Sequence, residues 1–345
     1  MKNTTLTLVV PCYNEEDNVL PFYQTACKDF ENSPYTLQFV FVDDGSRDQT
    51  LSHLKEIYAS DPSHVTVVSF SRNFGKESAI YAGLQHSCGE LITLIDADLQ
   101  QPPALARQMA DHLLAHPDDD CVAMYQEERR EGKVLSAFKH LFYKMINSMS
   151  DVRFMQGASD FRTFRRSVAD AILSMGEYHR FSKGIFSWVG FQTFYMPYTP
   201  QARNSGESKW SFLKLFRYAI DGIVAFSVAP LKIANWFGVI SALAAFVYAI
   251  VVIIQKIFFS IAVSGYATIV ILIMFFGGVQ LITFGILGEY LARTYLQVKR
   301  RPIYLAKQVY RMVQTENEDL SKHAAADDEK GGTMEHLPQS DHIDF

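Results

Sequence analysis

Leu91-Ile92-Thr93-Leu94-Ile95-Asp96-Ala97-Asp98-Leu99-Gln100 is an apolar run that ends abruptly on two carboxylates. The run reads as a buried strand. An unpaired buried carboxylate costs several kcal/mol, so Asp96 and Asp98 cannot both belong to the core. They mark where the strand leaves it. Two carboxylates around one residue suit a hard divalent ion, which commonly bridges to the phosphates of a nucleotide. Surface turns carry the same triplet, so its strand context and the following Pro102-Pro103 give it its weight.

Upstream, the same punctuation repeats. Residues 6–10 form an apolar strand ending in Pro11, residues 38–42 run into Asp43-Asp44-Gly45-Ser46, and residues 65–70 form a third strand. Helical patterns over 18–30, 50–59 and 77–86 separate them. This alternation predicts an α/β fold with a mostly parallel sheet, whose ligands sit beyond the carboxyl ends of the strands. The polar signatures lie at those ends. Asp43 and Asp44 are either turn formers or acceptors for a ribose hydroxyl or base N–H. Pro11-Cys12-Tyr13-Asn14-Glu15-Glu16 offers a ring and a carboxylate to the same ligand. No GxGxxG follows the first strand and no GxxxxGK[ST] occurs, which excludes a dinucleotide site of the Rossmann type and a P-loop.

Downstream, residues 234–254 and 267–287 are two runs without a charged side chain. At about 1.5 Å per residue each is long enough to cross a bilayer. Residues 255–266 connect them, which predicts a helical hairpin. Lys214, Arg217 and Lys232 precede the first run; Arg293, Lys299, Arg300, Arg301, Lys307 and Arg311 follow the second; the connection holds only Lys256. The positive-inside rule then predicts that the N-terminal part and the tail are cytoplasmic, on a multi-pass membrane protein. In residues 210–227, Lys214, Arg217, Tyr218 and Asp221 fall on one stripe, as in an amphipathic helix lying at the headgroups or a core helix of the soluble part.

The chain has 345 residues, 48% of them hydrophobic and 20% charged. That is too charged for a fully polytopic protein and too apolar for general disorder. From Thr315 to Phe345 nine Asp/Glu face two Lys, so the chain's −5 is −7 in this tail and +2 in the remaining body. No concentrated basic face suggests a nucleic-acid partner. Cys12, Cys27, Cys88 and Cys121 share no metal-ligand spacing and are expected as buried, reduced thiols. No secretory signal is read in the first ten residues. The expected organisation is a catalytic domain over 1–209, interfacial helices over 210–232, two spans over 233–289, a basic juxtamembrane helix over 290–314 and a disordered acidic tail over 315–345.

A leaving diphosphate needs cations. Arg129, Arg130 and Lys133 form one candidate group, and Arg203 with Lys209 another; both are otherwise solvated surface charge. Asp160 stands among apolar and basic neighbours as either a general base or a partner of Arg162 or Arg165.

Four segments together carry a resemblance: residues 10–16, 42–48, 71–77 (Ser71-Arg72-Asn73-Phe74-Gly75-Lys76-Glu77) and Asp96-Ala97-Asp98-Leu99-Gln100. They are similar to family 2 glycosyltransferases of GT-A fold. With Gly206-Glu207-Ser208-Lys209-Trp210 and the C-terminal hairpin, residues 5–312 resemble bacterial polyisoprenyl-phosphate glycosyltransferases. These are relatives of dolichyl-phosphate mannose synthase, with bactoprenol glucosyltransferases the nearest subgroup. The resemblance implies that Pro11, Tyr13, Glu15, Val42 and Asp44 line a nucleoside pocket. It implies that Asp96, Ala97 and Asp98 meet the sugar nucleotide, with Asp98 and Gln100 on Mg²⁺ or Mn²⁺. Arg203 and Lys209 would contact phosphate, and Asp160 is the candidate catalytic base beside Asp98. The family's Tyr-Gly-x-Arg segment is altered to Tyr125-Gln126-Glu127-Glu128-Arg129-Arg130, which leaves its arginine role to Arg129 or Arg130.

The expected activity is therefore transfer of a hexose, glucose from UDP-glucose first, to a polyprenyl phosphate such as undecaprenyl phosphate. N-acetylglucosamine, mannose and an aminopentose are the alternative sugars, and residues 180–190 favour glucose by resemblance. A non-catalytic nucleotide-sugar binding protein at the membrane is the rival reading. A processive synthase is disfavoured because no Gln-x-x-Arg-Trp occurs. A homo-oligomer is compatible with the sequence.

Overall fold

Along β1 (Thr4–Cys12) the side chains of Leu6, Leu8, Val10 and Cys12 join one apolar cluster, while Val9 joins another. This period of two is what a strand buried on both faces requires. The computed structural model describes residues 4–126, 147, 155, 157–199, 224–225, 227–259 and 265–312. Arg129, Arg203, Lys209, the acidic tail and residues 210–223 of the expected interfacial segment lie outside the described residues.

Among the described residues β1, β2 (Tyr35–Asp43), β3 (Val65–Phe70), β4 (Leu91–Leu94), β5 (Cys121–Gln126), β6 (Ala158–Arg165), β7 (Thr193–Tyr198) and β8 (Ala306–Tyr310) form one sheet, ordered β7-β5-β6-β4-β1-β2-β3-β8. β4, β1, β2 and β3 are mutually parallel, and β5 is parallel to β7. β6 runs antiparallel to both β4 and β5, and β8 runs antiparallel to β3. The mostly parallel sheet expected from the alternation is present, with two reversed strands that the alternation did not reveal.

Helices cover both faces. α1 (Val19–Phe30) buries Val19, Phe22, Ala26 and Phe30, and α4 (Pro103–Ala115) buries Ala106, Met109, Ala110 and Leu113. These spacings make one apolar stripe per helix. With α2 (Thr50–Ser60) they pack on the face of Leu6, Phe39 and Phe41. α3 (Lys76–His86) and α5 (Arg166–Ser174) pack on the opposite face with Val9, Val40 and Val42. Each fully buried large side chain contributes about 1.5–3 kcal/mol. Helix α3 approaches β1 so closely that a Cβ on Gly83 would lie 2.2 Å from Val9 Cγ1. Of the cysteines, Cys12 and Cys121 are buried as expected, but Cys27 and Cys88 are exposed. Cys27 lies on the outer side of α1, away from its apolar stripe.

After α6 (Ser182–Trp188) and β7 come α7 (Ala229–Phe259) and α8 (Tyr266–Val298). Within them, Ala229–Gln255 and Ile269–Val298 are long and apolar enough to cross a membrane, and neither is buried within the protein. They are not core helices, and an apolar surface of this size calls for lipid or a partner. α7 starts five residues before the expected run, with Pro230 in its first turn where a missing N–H costs nothing. It ends four residues beyond Gln255, because Gln and Lys are good helix formers.

The expected basic helix over 290–314 is corrected. α8 ends at Val298, and Ala306–Tyr310 is strand β8. Pro302 cannot continue a helix. Downstream of it the chain covers the otherwise open edge of β3. Tyr304 fixes this return: its ring stacks on Phe70 at 4.8 Å and its hydroxyl donates to Gln85 Oε1 at 2.8 Å.

Candidate active site

Four strand ends meet on one edge of the sheet. The loops after β1 and β2 are stitched together: Asn14 N–H donates to Ser46 Oγ, Arg47 N–H to Asn14 Oδ1, Glu15 N–H to Thr50 Oγ1 and Gln49 N–H to Glu16 Oε2. Tyr13 is left 44% exposed at the rim. Glu15 accepts from Asn18 Nδ2 at 2.6 Å and stays partly buried. Gly45, at φ +68°, lets the second loop turn against Arg72, where a Cβ would come within 2.6 Å of the backbone.

Asp44, expected at the nucleoside, is tied to the backbone ahead of α3. It is buried, and its two oxygens accept from Phe74 N–H at 2.6 Å and Gly75 N–H at 2.9 Å, just ahead of α3. Burial pushes its pKa up, against the two backbone N–H groups that pull it down. Val42 is fully buried in the core, so its side chain supports the site from below. Ala97 is buried as well, while Pro11 borders a small cavity with Lys76, Asp96 and Asp160.

Asp96 and Asp98 follow β4 as the sequence indicated. Asp96 N–H donates to Gln101 Oε1, and Gln100 N–H donates to Asp98 Oδ1 at 3.2 Å. Leu99 between them adopts φ +58°, which tightens the turn. Asp98 is 8% exposed.

Because β6 is antiparallel to β4, with Leu94 paired to Arg162, Asp160 comes to lie across from Asp96. Neither Arg162 nor Arg165 is its partner. Arg162 donates to Ser159 O and lies over Phe186, and Arg165 donates to the carbonyls of Asp119 and Leu113. Instead Lys76 Nζ stands between the acids, 2.6 Å from Asp96 Oδ1 and 3.9 Å from Asp160 Oδ2. Desolvation pulls the Lys76 ammonium down, but Asp96 and then Asp160 more than offset it, so its pKa is raised. Asp160 Oδ1 is buried without a hydrogen-bond donor among the described residues.

Lys76 received no role from sequence reasoning. A signal existed: a cation in the first turn of a helix opposes the macrodipole, so it needs an anionic partner. Glu77 beside it was likewise unassigned. Its carboxylate accepts from the N–H and hydroxyl of Ser182, which ties α3 to α6, and burial raises its pKa despite those bonds.

Among the described residues no group of three or more His, Cys, Asp or Glu is arranged to hold a metal ion. Asp98 and Gln100 supply hard oxygen donors at one turn, and Asp96 is already neutralised by Lys76. This sparse set fits Mg²⁺ or Mn²⁺ carried mainly by the phosphates of a bound nucleotide, the usual mode for Mg²⁺.

Residues 7–173 match the family model for glycosyl transferase family 2. The chain is 38% identical over 304 residues to a prophage bactoprenol glucosyl transferase homolog of Escherichia coli (strain K12), covering 88% of this chain and 99% of that one. It is 38% identical over 306 residues to an SfII prophage-derived bactoprenol glucosyl transferase of Shigella flexneri, covering 89% and 98%. With the bactoprenol glucosyl transferase of Shigella phage SfX it shares 39% identity over 302 residues, covering 88% and 98%. Matches of this identity over nearly the full length of both chains carry the assignment that the strand-end acids alone left open: the chain belongs to glycosyl transferase family 2 and is a glycosyltransferase.

Proposed function

We propose that the protein transfers a hexose, glucose from UDP-glucose, to the phosphate of a membrane polyprenol such as undecaprenyl phosphate. The observation that carries this reading is the attachment of two apolar helices, neither buried within the protein, to a glycosyltransferase domain. The relatives named bactoprenol glucosyl transferases support both the lipid acceptor and the sugar. The basic residues flanking the spans support a cytoplasmic side for the catalytic domain and the tail.

In this reading the loops after β1 and β2 hold the nucleoside, with Tyr13 and Glu15 at the rim. Asp98 and Gln100 would hold a divalent ion, whose charge would offset that of the departing diphosphate. Lys76 keeps Asp96 oriented and screens it from Asp160. An acceptor phosphate oxygen forms a new bond to the anomeric carbon from the side opposite the diphosphate. The bond from that carbon to the diphosphate breaks, its electron pair leaves with UDP, and the configuration inverts. A phosphate monoester has a second pKa of about 6, so at neutral pH there is little proton to remove. Asp160 accordingly positions sugar or acceptor. Arg129, Arg203 and Lys209 are assigned to phosphate from the sequence.

The test incubates membranes containing the full chain with labelled UDP-glucose, UDP-N-acetylglucosamine or GDP-mannose and a polyprenyl phosphate. Label from UDP-glucose in the lipid fraction is the expected result. Label from another donor alone changes the sugar, and bound nucleotide sugar with no labelled lipid refutes the transferase reading.

A further inference from the structure

Beyond the end of α8 a cavity of about 520 Å³ opens between α3, residues 176–178 and residues 296–306. It shares no lining residue with the small cavity at Asp96 and Asp160, so it is not part of the donor site. Its wall carries the guanidinium side chains of Arg300 and Arg301 and the phenol rings of Tyr81, Tyr178 and Tyr304. Among the described residues no carboxylate lines it.

The cavity is built by specific contacts. Gln297 Oε1 accepts from Tyr178 N–H at 2.8 Å, while Gln297 Nε2 donates to Gly176 O at 2.9 Å. One side chain thus clamps the loop to the last turn of the helix. Arg300 adopts φ +48°, a conformation that costs a non-glycine residue energy and turns the chain sharply around the cavity mouth. Strand β8 and the Phe70–Tyr304 stack hold the far wall.

Position supplies the ligand class. The apolar span ends at Val298, and the two arginines follow within three residues. A side chain there lies at headgroup level, where basic pockets take lipid phosphates. Arginine suits this because its planar donors pair with phosphate oxygens and its charge does not titrate. Leu296, Ile303 and Leu305 add apolar surface for the glycerol and first methylenes.

We propose that this cavity binds the phosphodiester headgroup of an anionic phospholipid and so seats the catalytic domain at a fixed height on the membrane. The proposal rests on reading α8 as a membrane span. It is independent of which sugar is transferred.

The test titrates the purified full chain in zwitterionic detergent with phosphatidylglycerol or phosphatidylcholine and reads retained lipid by native mass spectrometry. Phosphatidylglycerol is expected to bind about tenfold more tightly, equivalent to about 1.4 kcal/mol. The double variant R300Q/R301Q should abolish that preference. The double variant K299Q/K307Q removes the same charge from residues outside the cavity wall and should retain it. Preference surviving in R300Q/R301Q, or lost equally in both doubles, overturns the proposal. Displacement of the lipid by millimolar inorganic phosphate overturns it in favour of a free-phosphate site. Labelled-lipid synthesis is measured on the same preparations, so loss of transfer with the lipid preference intact counts against the proposed function alone.

Discussion

Lys76 Nζ contacts both carboxylate oxygens of Asp96, at 2.6 and 2.9 Å, from the first turn of the helix that follows Gly75. The contact joins a helix on one face of the sheet to the strand end that carries the acidic pair. It also keeps Asp96 from facing Asp160 as an unscreened like charge. Lys76→Met should lower kcat for lipid labelling by about tenfold or more, since losing one charge-assisted contact of 1.5–3 kcal/mol leaves two carboxylates in mutual repulsion. The raised Lys76 pKa sets the pH behaviour. Its contribution is complete below the ordinary lysine value of about 10.4 and is lost only as pH rises through the higher folded value. The deficit of the variant should therefore be constant between about pH 6 and pH 9. A deficit that titrates within that window would assign it to another group.

Asp98→Asn should reduce transfer by at least about a hundredfold, because it removes the charge from the carboxylate that, with Gln100, would face an ion at the turn after β4. Chelation of the wild-type protein should have the same effect, with Mg²⁺ or Mn²⁺ restoring it. Added metal should not restore the variant. Unchanged turnover in Asp98→Asn, or wild-type activity indifferent to a chelator, sinks the metal assignment.

The near half of the sheet was legible because each of β1 to β4 is an apolar run closed by turn residues or acids. The far half was not. β6 carries Asp160, Arg162 and Arg165, and its polar side chains conceal a strand whose reversed direction alone brings Asp160 to Asp96. β8 was hidden inside a basic segment that reads as an extension of the helix before it, and only its pairing with β3 makes it a strand. At the site, the acids after β4 could be read from burial cost. The backbone contacts of Asp44 could not, since the two N–H groups it serves lie in a different loop, ahead of α3.

Asp44→Asn tests that structural use. An amide has one acceptor oxygen, so its NH₂ would confront the N–H of either Phe74 or Gly75. One unsatisfied buried donor costs about 1–3 kcal/mol. The expected result is a lower thermal midpoint for the detergent-solubilised full chain. The raised pKa of Asp44 fixes the direction of its pH dependence. Its folded form binds the proton more tightly than the unfolded chain, so the wild-type disadvantage is absent below the unfolded value and complete above the folded one. The variant should thus lose least relative to wild type at neutral pH and most in acid; the opposite trend would mean that the two N–H groups outweigh burial.

Gly83→Ala should destabilise through sterics alone. The new methyl would meet Val9 Cγ1 at 2.2 Å, and neither α3 nor β1 can retreat without disturbing the core on that face. Overpacking of this kind costs about 1–3 kcal/mol. Val9→Ala should also destabilise by leaving a void, yet the double variant should recover much of the loss, because residues in direct contact are not additive. Additive losses in thermal unfolding would mean that the helix and the strand are not in contact there.

Asp160 poses the last question, whether its carboxylate moves a proton. In wild-type protein the acidic limb of the rate profile should follow the acceptor phosphate, near its second pKa of about 6. Asp160→Asn should lower kcat by about tenfold to a hundredfold while keeping that limb, since the asparagine still fills the place beside Lys76 but no longer pairs with it. A variant whose acidic limb disappears would instead make Asp160 the group that titrates, and the acceptor would then arrive protonated. The measurement is initial rate of lipid labelling against pH, with the polyprenyl phosphate saturating so that binding does not mask the chemistry.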